Sequence, residues 1–227
     1  MPRQPDHDVV RRGYDAIAHE YAEQFNDEQL SHKPPLDRAL LRALIEQTED
    51  GASIVDLGCG PGHVAAWLAD HGAPAVGIDL SPRMIEIARR EHPTVEFREG
   101  DLLALPATGS EFGSAVAFYS VIYLAPGELR PAFDEVRRVV RPGGLFLVVF
   151  HIGSEVRHDD WWGREVPDLD FRLLEPEGVI EHLESAGFAV EARHERQNLP
   201  GEMETRRAYV LARVVGSTKR GIEDRTL

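Results

Sequence analysis

The sequence is poor in cysteine and has no long apolar run. Cys59 is the only cysteine among 227 residues, which excludes an intrachain disulfide and favours a reducing, cytoplasmic location. No apolar run approaches the roughly 18 residues that a membrane-spanning helix needs. The first eight residues lack the apolar core of a signal peptide. We therefore expect a cytoplasmic protein with no membrane partner.

Lysine is also scarce, and basic residues are outnumbered. The chain has 39 acidic residues against 25 basic ones, with two lysines among the latter, and a net charge of −14. A nucleic acid would have to approach against that field, so we expect no nucleic-acid partner and favour a small-molecule substrate. A monomer and a homodimer both remain open.

The most informative segment, Ser53 to Arg90, has the pattern strand, glycine turn, helix, strand, helix. The apolar run Ile54 to Leu57 leads into glycines at alternate positions, which allow a tight turn and a close backbone approach to a ligand. A second strand ends at Asp79, about 20 positions beyond the first glycine, where a carboxylate suits a ribose diol. The glycines concerned are Gly58, Gly60 and Gly62. The segment predicts a nucleoside-binding βαβ unit.

Three details decide between nucleoside ligands. His63 stands where the dinucleotide pattern G-x-G-x-x-G needs glycine or alanine. Asp56, two residues before the first glycine, would repel a pyrophosphate and attract a cationic ligand. No G-K-[ST] follows the glycines, which argues against a nucleoside triphosphate. S-adenosylmethionine, with its ammonium and sulfonium groups, fits best. The run Val55-Asp-Leu-Gly-Cys-Gly-Pro-Gly resembles the first motif of class I S-adenosylmethionine-dependent methyltransferases.

The resemblance covers roughly residues 10 to 215 and implies S-adenosyl-L-methionine as cofactor and S-adenosyl-L-homocysteine as product. It implies that Gly100-Asp101-Leu102 contacts adenine, although a plain turn carboxylate is the alternative. Cys59 could have a lowered pKa at a helix start, or could serve only as a small residue in the turn. The predicted cofactor site comprises Tyr21, Asp56, Gly58, Cys59, Gly60, Gly62, Asp79, Leu80, Met84, Gly100, Asp101, Leu102, Tyr119 and Ser120.

Alternating strands and helices predict an α/β fold, with a Rossmann-like, mostly parallel seven-stranded sheet covered by helices on both faces. Its last strand is expected to be antiparallel, as in the family. We expect one compact domain with three parts: an N-terminal helical cap at 1–50, a methyltransferase core at 51–215 with a substrate-side insertion at 152–174, and a tail at 216–227. The cap helix is expected at Val9 to Phe25, after a loose segment of eight residues.

The predicted substrate residues follow strands or lie in the insertion. His151, directly after the fifth strand, is the candidate general base, with a hydrogen-bonded structural histidine as the alternative. Tyr14 and Tyr21 reach toward the cofactor or transfer site in the family, or else they pack in the core. The full predicted set is Tyr14, Tyr123, His151, Trp161, Trp162 and Arg207. We expect no metal, because the spacing in His158-Asp-Asp matches no known ligand pattern.

These features predict methyl transfer to an oxygen, nitrogen or carbon of a small metabolite by in-line displacement. Two alternatives remain. One is a methyltransferase-like protein that binds the same cofactor but catalyses other chemistry, such as a cyclisation, or serves only as a binding module. The other is an NAD-dependent oxidoreductase, which Asp56 and His63 disfavour. Tyr119-Ser-Val-Ile replaces the Asn/Asp-Pro-Pro-Tyr/Phe sequence of amide and nucleobase methyltransferases, which argues against those substrates.

Overall fold

A computed structural model of the chain describes residues 7–24, 34–158 and 169–216. The helices of these ranges are α1 His7–Gln24, α2 Pro35–Gln47, α3 His63–Asp70, α4 Pro82–Glu91, α5 Leu129–Val139 and α6 Pro176–Ser185. The strands are β1 Ile54–Leu57, β2 Ala75–Asp79, β3 Glu96–Glu99, β4 Ser114–Phe118, β5 Leu145–Ile152, β6 Val156–His158, β7 Asp170–Arg172, β8 Phe188–Arg196 and β9 Arg206–Val214.

Seven strands form one sheet in the order β3-β2-β1-β4-β5-β9-β8. The first five strands in this order, β3, β2, β1, β4 and β5, pair in parallel with their neighbours. Strand β9 pairs antiparallel with both β5 and β8. The last strand is therefore the antiparallel one, and the predicted fold class is confirmed. Because β9 is reversed, its first residues lie at the carboxyl edge of the parallel strands, where His151 pairs with Arg207.

The apolar runs form the central strands because both faces of the sheet are covered. In β5 the side chains from Leu145 to Phe150 are completely buried. One face packs against α2 and α3 through Leu41, Leu44 and Leu68, and the other against α5 and α6 through residues such as Phe133. Helix α2 thus lies in the same layer as α3. Burial of each such apolar side chain contributes about 1.5–3 kcal/mol to the stability of the fold.

Helix α1 packs on α4 at the edge of this core. Ala18 contacts a cluster with Met84 and Ile87 of α4. The N-cap of α4 is Ser81, whose Oγ accepts from the Met84 N–H at 3.1 Å and donates to Asp15 of α1 at 2.6 Å. One serine therefore caps one helix and anchors another.

Several predicted boundaries were wrong. Helix α1 already begins at His7, where a loose segment was expected. The sequence predicts a third strand at 94–97, whereas the edge strand β3 begins at Glu96 and has charged residues on its exposed face. The fourth strand is expected at 112–119, but β4 is shorter and ends before Tyr119, whose φ of 58° leaves the extended region. Strands β5 and β8, expected to end at residues 150 and 193, run on to Ile152 and Arg196.

The predicted insertion at 152–174 contains a second, two-stranded sheet. Strands β6 and β7 pair antiparallel, with Arg157 opposite Phe171. Trp161 and Trp162, predicted to face the substrate, lie outside the described residues. Within the described ranges, no helix has the length and apolar character to cross a membrane.

Gly62 illustrates a packing constraint that a substitution can measure. It has φ +89°, and an added Cβ would lie 2.6 Å from Phe97 Cζ, whereas Gly72 has φ +92° with nothing within 4 Å of such an atom. We expect Gly72→Ala to cost about 1–2 kcal/mol from backbone conformation alone. Gly62→Ala should cost about 1–3 kcal/mol more because of overpacking. Urea unfolding of both variants tests this, and equal losses would contradict it.

Candidate active site

A cavity of about 790 Å³ lies at the carboxyl edge of the sheet, between α1 and the strand ends. The cavity has two ends. The adenosyl end is formed by residues after β1, β2 and β3. The β5–β9 end is formed around His151, Arg207 and the loop before β9. The predicted residues that line the cavity are Tyr14, Tyr21, Asp56, Gly58, Cys59, Gly60, Asp79, Leu80, Met84, Gly100, Asp101, Leu102, Tyr119, Ser120, Tyr123, His151 and Arg207.

The glycine turn shapes the wall of the adenosyl end. Gly58 has φ +71°, and a Cβ there would come within 2.2 Å of Ser120 Cβ, so only glycine lets the loop after β4 approach. Ser120 Oγ donates to Leu57 O at 2.7 Å, which closes the two strand ends together. At Gly60, with φ +52°, the nearest atom to an added Cβ is Tyr21 Cε1 at 3.8 Å. The turn therefore presents bare backbone to the cavity.

Gly62 is the one predicted site residue in the described ranges that does not line the cavity. It is buried at the start of α3 against Phe97 and Ala88. Its lack of a side chain thus serves the packing of α3 on α4 and β3. The alternate spacing in the sequence did not distinguish this packing glycine from the two that face the cavity.

Asp79, at the end of β2, connects the turn to the next helix. Its Oδ2 accepts from the Gly60 N–H and its Oδ1 from the Ser81 N–H, both at 2.8 Å. Burial raises the pKa of the carboxyl to about 6, although these backbone hydrogen bonds act in the opposite direction. Each oxygen can accept a second hydrogen bond, and Asp79 lines the cavity. The carboxyl can therefore accept from a diol once it is ionised.

Asp56 lies deeper in the adenosyl end, with 2% of its surface exposed. Its Oδ2 accepts from the Ala65 N–H of α3 at 3.1 Å. Burial raises the pKa of the neighbouring Cys59 thiol well above its usual value, and Asp79 and Asp56 raise it further. The thiol is therefore protonated, contrary to the lowered pKa considered for a helix start. The two aspartates give this end of the cavity an acidic character.

Asp101 is held from both sides. Its Oδ1 accepts from the Leu103 N–H at 2.8 Å, and its Oδ2 lies 2.6 Å from Nδ1 of His7 in α1. The other nitrogen of His7 lies 3.3 Å from Glu128 Oε2. Burial lowers the pKa of His7, but the hydrogen bonds and charges of the two carboxylates outweigh it and leave the pKa raised. The first turn of α1 is thus pinned over the adenosyl end.

Three tyrosines connect α1 to the loop after β4. The Tyr14 hydroxyl donates to the Tyr123 hydroxyl at 2.5 Å, and Tyr14 meets Tyr21 edge-to-face at 5.7 Å between ring centroids. All three rings also pack against buried Val10, Ile17 and Leu169. The two interpretations considered for Tyr14 and Tyr21 therefore coincide, because the same rings pack in a core cluster and line the cavity.

The β5–β9 end combines aromatic and charged groups. His151 stacks on Tyr119 at 4.7 Å, and its Nδ1 lies 2.7 Å from Thr205 Oγ1. Burial, together with the charge of Arg207, lowers the pKa of His151 to about 4. The imidazole is therefore neutral at pH 7. Arg207 itself is 3% exposed.

Several lining residues were not predicted from the sequence. They come from α1, from the loop before β9 and from positions without a local motif: His7, Val10, Gln24, Pro34, Asp37, His63, Val64, Phe118, Ile122, Leu124, Phe171, Gly201, Glu202 and Met203. For His7 the sequence offered one signal, because this residue lies two helical turns ahead of the predicted site residue Tyr14. For the other residues it offered none. In the part of the chain that the structure describes, no three acidic, histidine or cysteine side chains are grouped as a metal site would require.

The sheet order, the bare glycine turn and an acidic strand end define a Rossmann-like nucleoside-binding protein. Residues 54–144 match the family model described as a methyltransferase domain. A probable S-adenosylmethionine-dependent methyltransferase of Mycolicibacterium smegmatis is 32% identical over 143 residues, which are 62% of this chain and 53% of that protein. The segment 54–144 is thus a methyltransferase domain that resembles the S-adenosylmethionine-dependent class, and S-adenosylmethionine is the cofactor of that family.

Other similar proteins have more specific names. A fatty-acid O-methyltransferase of Mycolicibacterium smegmatis is 32% identical over 139 residues, covering 57% of this chain and 47% of that protein. The chain spans about half the length of these curated relatives. The crystal structure of the [4+2]-cyclase SpnF superposes with a TM-score of 0.70 at 21% identity, covering 95% of this chain and 99% of that one. At that identity the similarity establishes the fold alone.

The pKa of Asp79 predicts a pH dependence of cofactor affinity. A raised carboxyl pKa means that the folded protein binds the proton more tightly than the unfolded chain does, so stability falls as the pH rises toward about 6. A diol needs the ionised acceptor, so affinity for S-adenosylmethionine should rise with pH, by up to about tenfold per unit below this pKa. Calorimetric titrations at several pH values measure it.

Asp79→Asn is the control for this pH dependence, because it removes the titrating group and leaves His7 in place. The affinity for S-adenosylmethionine should depend more steeply on pH in the wild-type protein than in the variant. Identical profiles would contradict the assignment to Asp79.

Proposed function

We propose that this protein transfers the methyl group of S-adenosylmethionine to an oxygen, nitrogen or carbon nucleophile of a small molecule, with S-adenosylhomocysteine as the other product. One observation supports this most: a single cavity joins the acidic adenosyl end to a second, chemically different end at β5 and β9. Such a cavity has room for a cofactor and an acceptor side by side. When bound, the cofactor supplies an electrophilic methyl group and a neutral leaving group.

The residues of the adenosyl end fit this cofactor. The bare backbone at Gly60 leaves space beside the Asp79 carboxylate, which we propose accepts from the ribose hydroxyls. The buried negative charge of Asp56 suits the cofactor's ammonium and sulfonium groups. We propose that Asp101 accepts from the adenine amine while Leu102 covers the ring. His7 now contacts the same Asp101 oxygen, Oδ2, so adenine and His7 would compete for it or share it.

Positioning is the main catalytic contribution that this chain offers. Holding two reactants in the correct geometry can contribute about 7–11 kcal/mol in favourable cases. The pKa of His151, lowered to about 4, is a poor match to a general base operating near pH 7. Burial raises the pKa of Tyr119 to about 12, so its phenol stays protonated. The site therefore orients the acceptor and offers donors to it.

We also propose different roles for different parts of the chain. Within the predicted cap at 1–50, α1 lines the cavity through His7, Tyr14 and Tyr21. We assign cofactor binding to the predicted core at 51–215, where Phe171 of the predicted insertion at 152–174 contributes to the cavity wall. The similarity to a fatty-acid O-methyltransferase supports a small-molecule acceptor.

A second candidate function is cofactor-dependent chemistry without methyl transfer. It is favoured by the likeness to the [4+2]-cyclase, whose fold extends over 95% of this chain. Formation of S-adenosylhomocysteine separates the two, because a cyclisation leaves S-adenosylmethionine unchanged. An oxidoreductase would instead bind NAD, which the acidic adenosyl end opposes.

Calorimetry with S-adenosylmethionine, S-adenosylhomocysteine and NAD tests the proposal. We expect both adenosyl ligands to bind and NAD not to bind. Asp79→Asn should raise the Kd for the adenosyl ligands by roughly 10- to 150-fold, since a hydrogen bond to a charged group contributes about 1.5–3 kcal/mol.

Asp70→Asn is the matched control, because Asp70 is an exposed acid at the end of α3 and outside the cavity lining. Its Kd should equal that of the wild type. An unchanged affinity in Asp79→Asn, or binding of NAD alone, would refute the proposed role of this site.

A further inference from the structure

Arg207 is a buried cation with unused hydrogen-bonding capacity. Its Nη1 donates to Met203 O at 2.8 Å and to Thr205, through both O and Oγ1. Its Nε lies 3.4 Å from Glu202 Oε2, a charge contact without hydrogen-bond geometry. Among the described residues, neither Nε nor Nη2 has a hydrogen-bond acceptor. Since 97% of this residue is buried and it lines the cavity, the guanidinium fork is available to a ligand there.

The carboxylates near Arg207 are already engaged elsewhere. Both oxygens of Glu202 accept from Arg196, at 2.6 and 2.7 Å. Asp37 accepts from the Tyr209 hydroxyl at 2.7 Å. Arg196 therefore uses all three of its nitrogens as donors, whereas Arg207, among the residues that the structure describes, uses only Nη1.

Two neutral donors face the same end. Thr205 Oγ1 accepts from Arg207 Nη1 and lies 2.7 Å from Nδ1 of His151. In the tautomer in which the Thr205 hydroxyl donates to Nδ1, the ring hydrogen of His151 is on Nε2 and is available as a donor. The Tyr119 ring stacks on His151, and its phenol forms no hydrogen bond within the described part of the chain. A guanidinium, an imidazole and a phenol thus line the same end of the cavity.

We propose that the methyl acceptor is a carboxylate, held by Arg207 with His151 and Tyr119 as supporting donors. This inference rests on the proposed methyl transfer and names its substrate class: a carboxylic acid with an apolar body. Apolar side chains in the cavity wall fit such a body, and they include Ile122, Leu124, Phe171 and Met203.

The chemistry of this step balances without a base. A lone pair of one carboxylate oxygen forms a bond to the methyl carbon, the methyl carbon–sulfur bond breaks, and its electron pair stays on sulfur. An anion and a sulfonium become a neutral methyl ester and a neutral thioether, and no proton is released. The low pKa of His151 is therefore no obstacle, whereas a hydroxyl or amine acceptor would have to lose a proton.

The experiment compares probes that differ only at the acceptor group. Octanoate, 1-octanol and octylamine form one series, and benzoate, phenol and aniline form a second. Each is incubated with the full chain and methyl-labelled S-adenosylmethionine. We expect methylation of at least one acid, identified as an ester by the release of labelled methanol in alkali. The matched alcohol and amine should react at least about tenfold more slowly, since the preference rests on a charged hydrogen bond.

Variants connect the preference to Arg207. Arg207→Gln should raise the KM for the acid by roughly 10- to 150-fold, the effect of losing a charged hydrogen bond, while S-adenosylmethionine affinity is retained. Arg207→Lys should restore part of the loss because it keeps the charge. Arg206→Gln is the control, since Arg206 is half exposed and pairs with Glu195 outside the cavity. If Arg207→Gln does not fold, Glu202→Gln tests the same proposal. Removing this nearby negative charge should lower the KM for the acid.

Three outcomes count against the carboxylate. They are a preference for the alcohol or amine, the failure of both acids to react or to bind calorimetrically, and a KM for the acid that Glu202→Gln leaves unchanged. In each case normal binding of S-adenosylmethionine would leave the proposed function standing. Loss of that binding would instead overturn the proposed function itself.

Discussion

The Asp79 carboxylate is the point on which the geometry of the cavity depends. It accepts hydrogen bonds from the N–H groups of Gly60 and Ser81, so one partly buried carboxyl group fixes the glycine turn and the start of α4 at the same time. Ser81 extends the link through its hydroxyl to Asp15 of α1. Removing this acceptor would leave both N–H groups without their partner and would destabilise the turn. A single hydrogen-bonded path therefore relates the adenosyl end to the helix that covers it.

Most of the fold could be predicted because its strands are buried on both faces. Continuous apolar runs located β1, β2 and the start of β5, and the glycine turn located α3. The errors fall where burial is weak or the backbone is unusual. At the edge strand β3, only Phe97 is buried. At β4, the strand ends at a left-handed Tyr119, for which a run of apolar residues gives no signal.

The adenosyl end was predictable for a different reason from the β5–β9 end. Its residues follow strands at fixed offsets within one βαβ unit, so a local motif reveals them. Gly62 was assigned to the ligand by spacing alone, although it serves packing. His7, Asp37 and Glu202 reach the cavity through tertiary folding from distant segments, and no local pattern marks them. Arg207 was predicted, but its engagement with Thr205 and Glu202 required the structure.

The reversal of β9 has a consequence for how this protein can evolve. Because β8 ends and β9 begins at the carboxyl edge, the whole connecting loop, 197–205, lies beside the β5–β9 end and supplies Gly201, Glu202 and Met203 to its wall. The residues that line the adenosyl end come instead from α1 and from the turns after β1, β2 and β3. Insertions or exchanges in the β8–β9 loop can therefore reshape one end of the cavity while the residues of the proposed cofactor site stay unchanged.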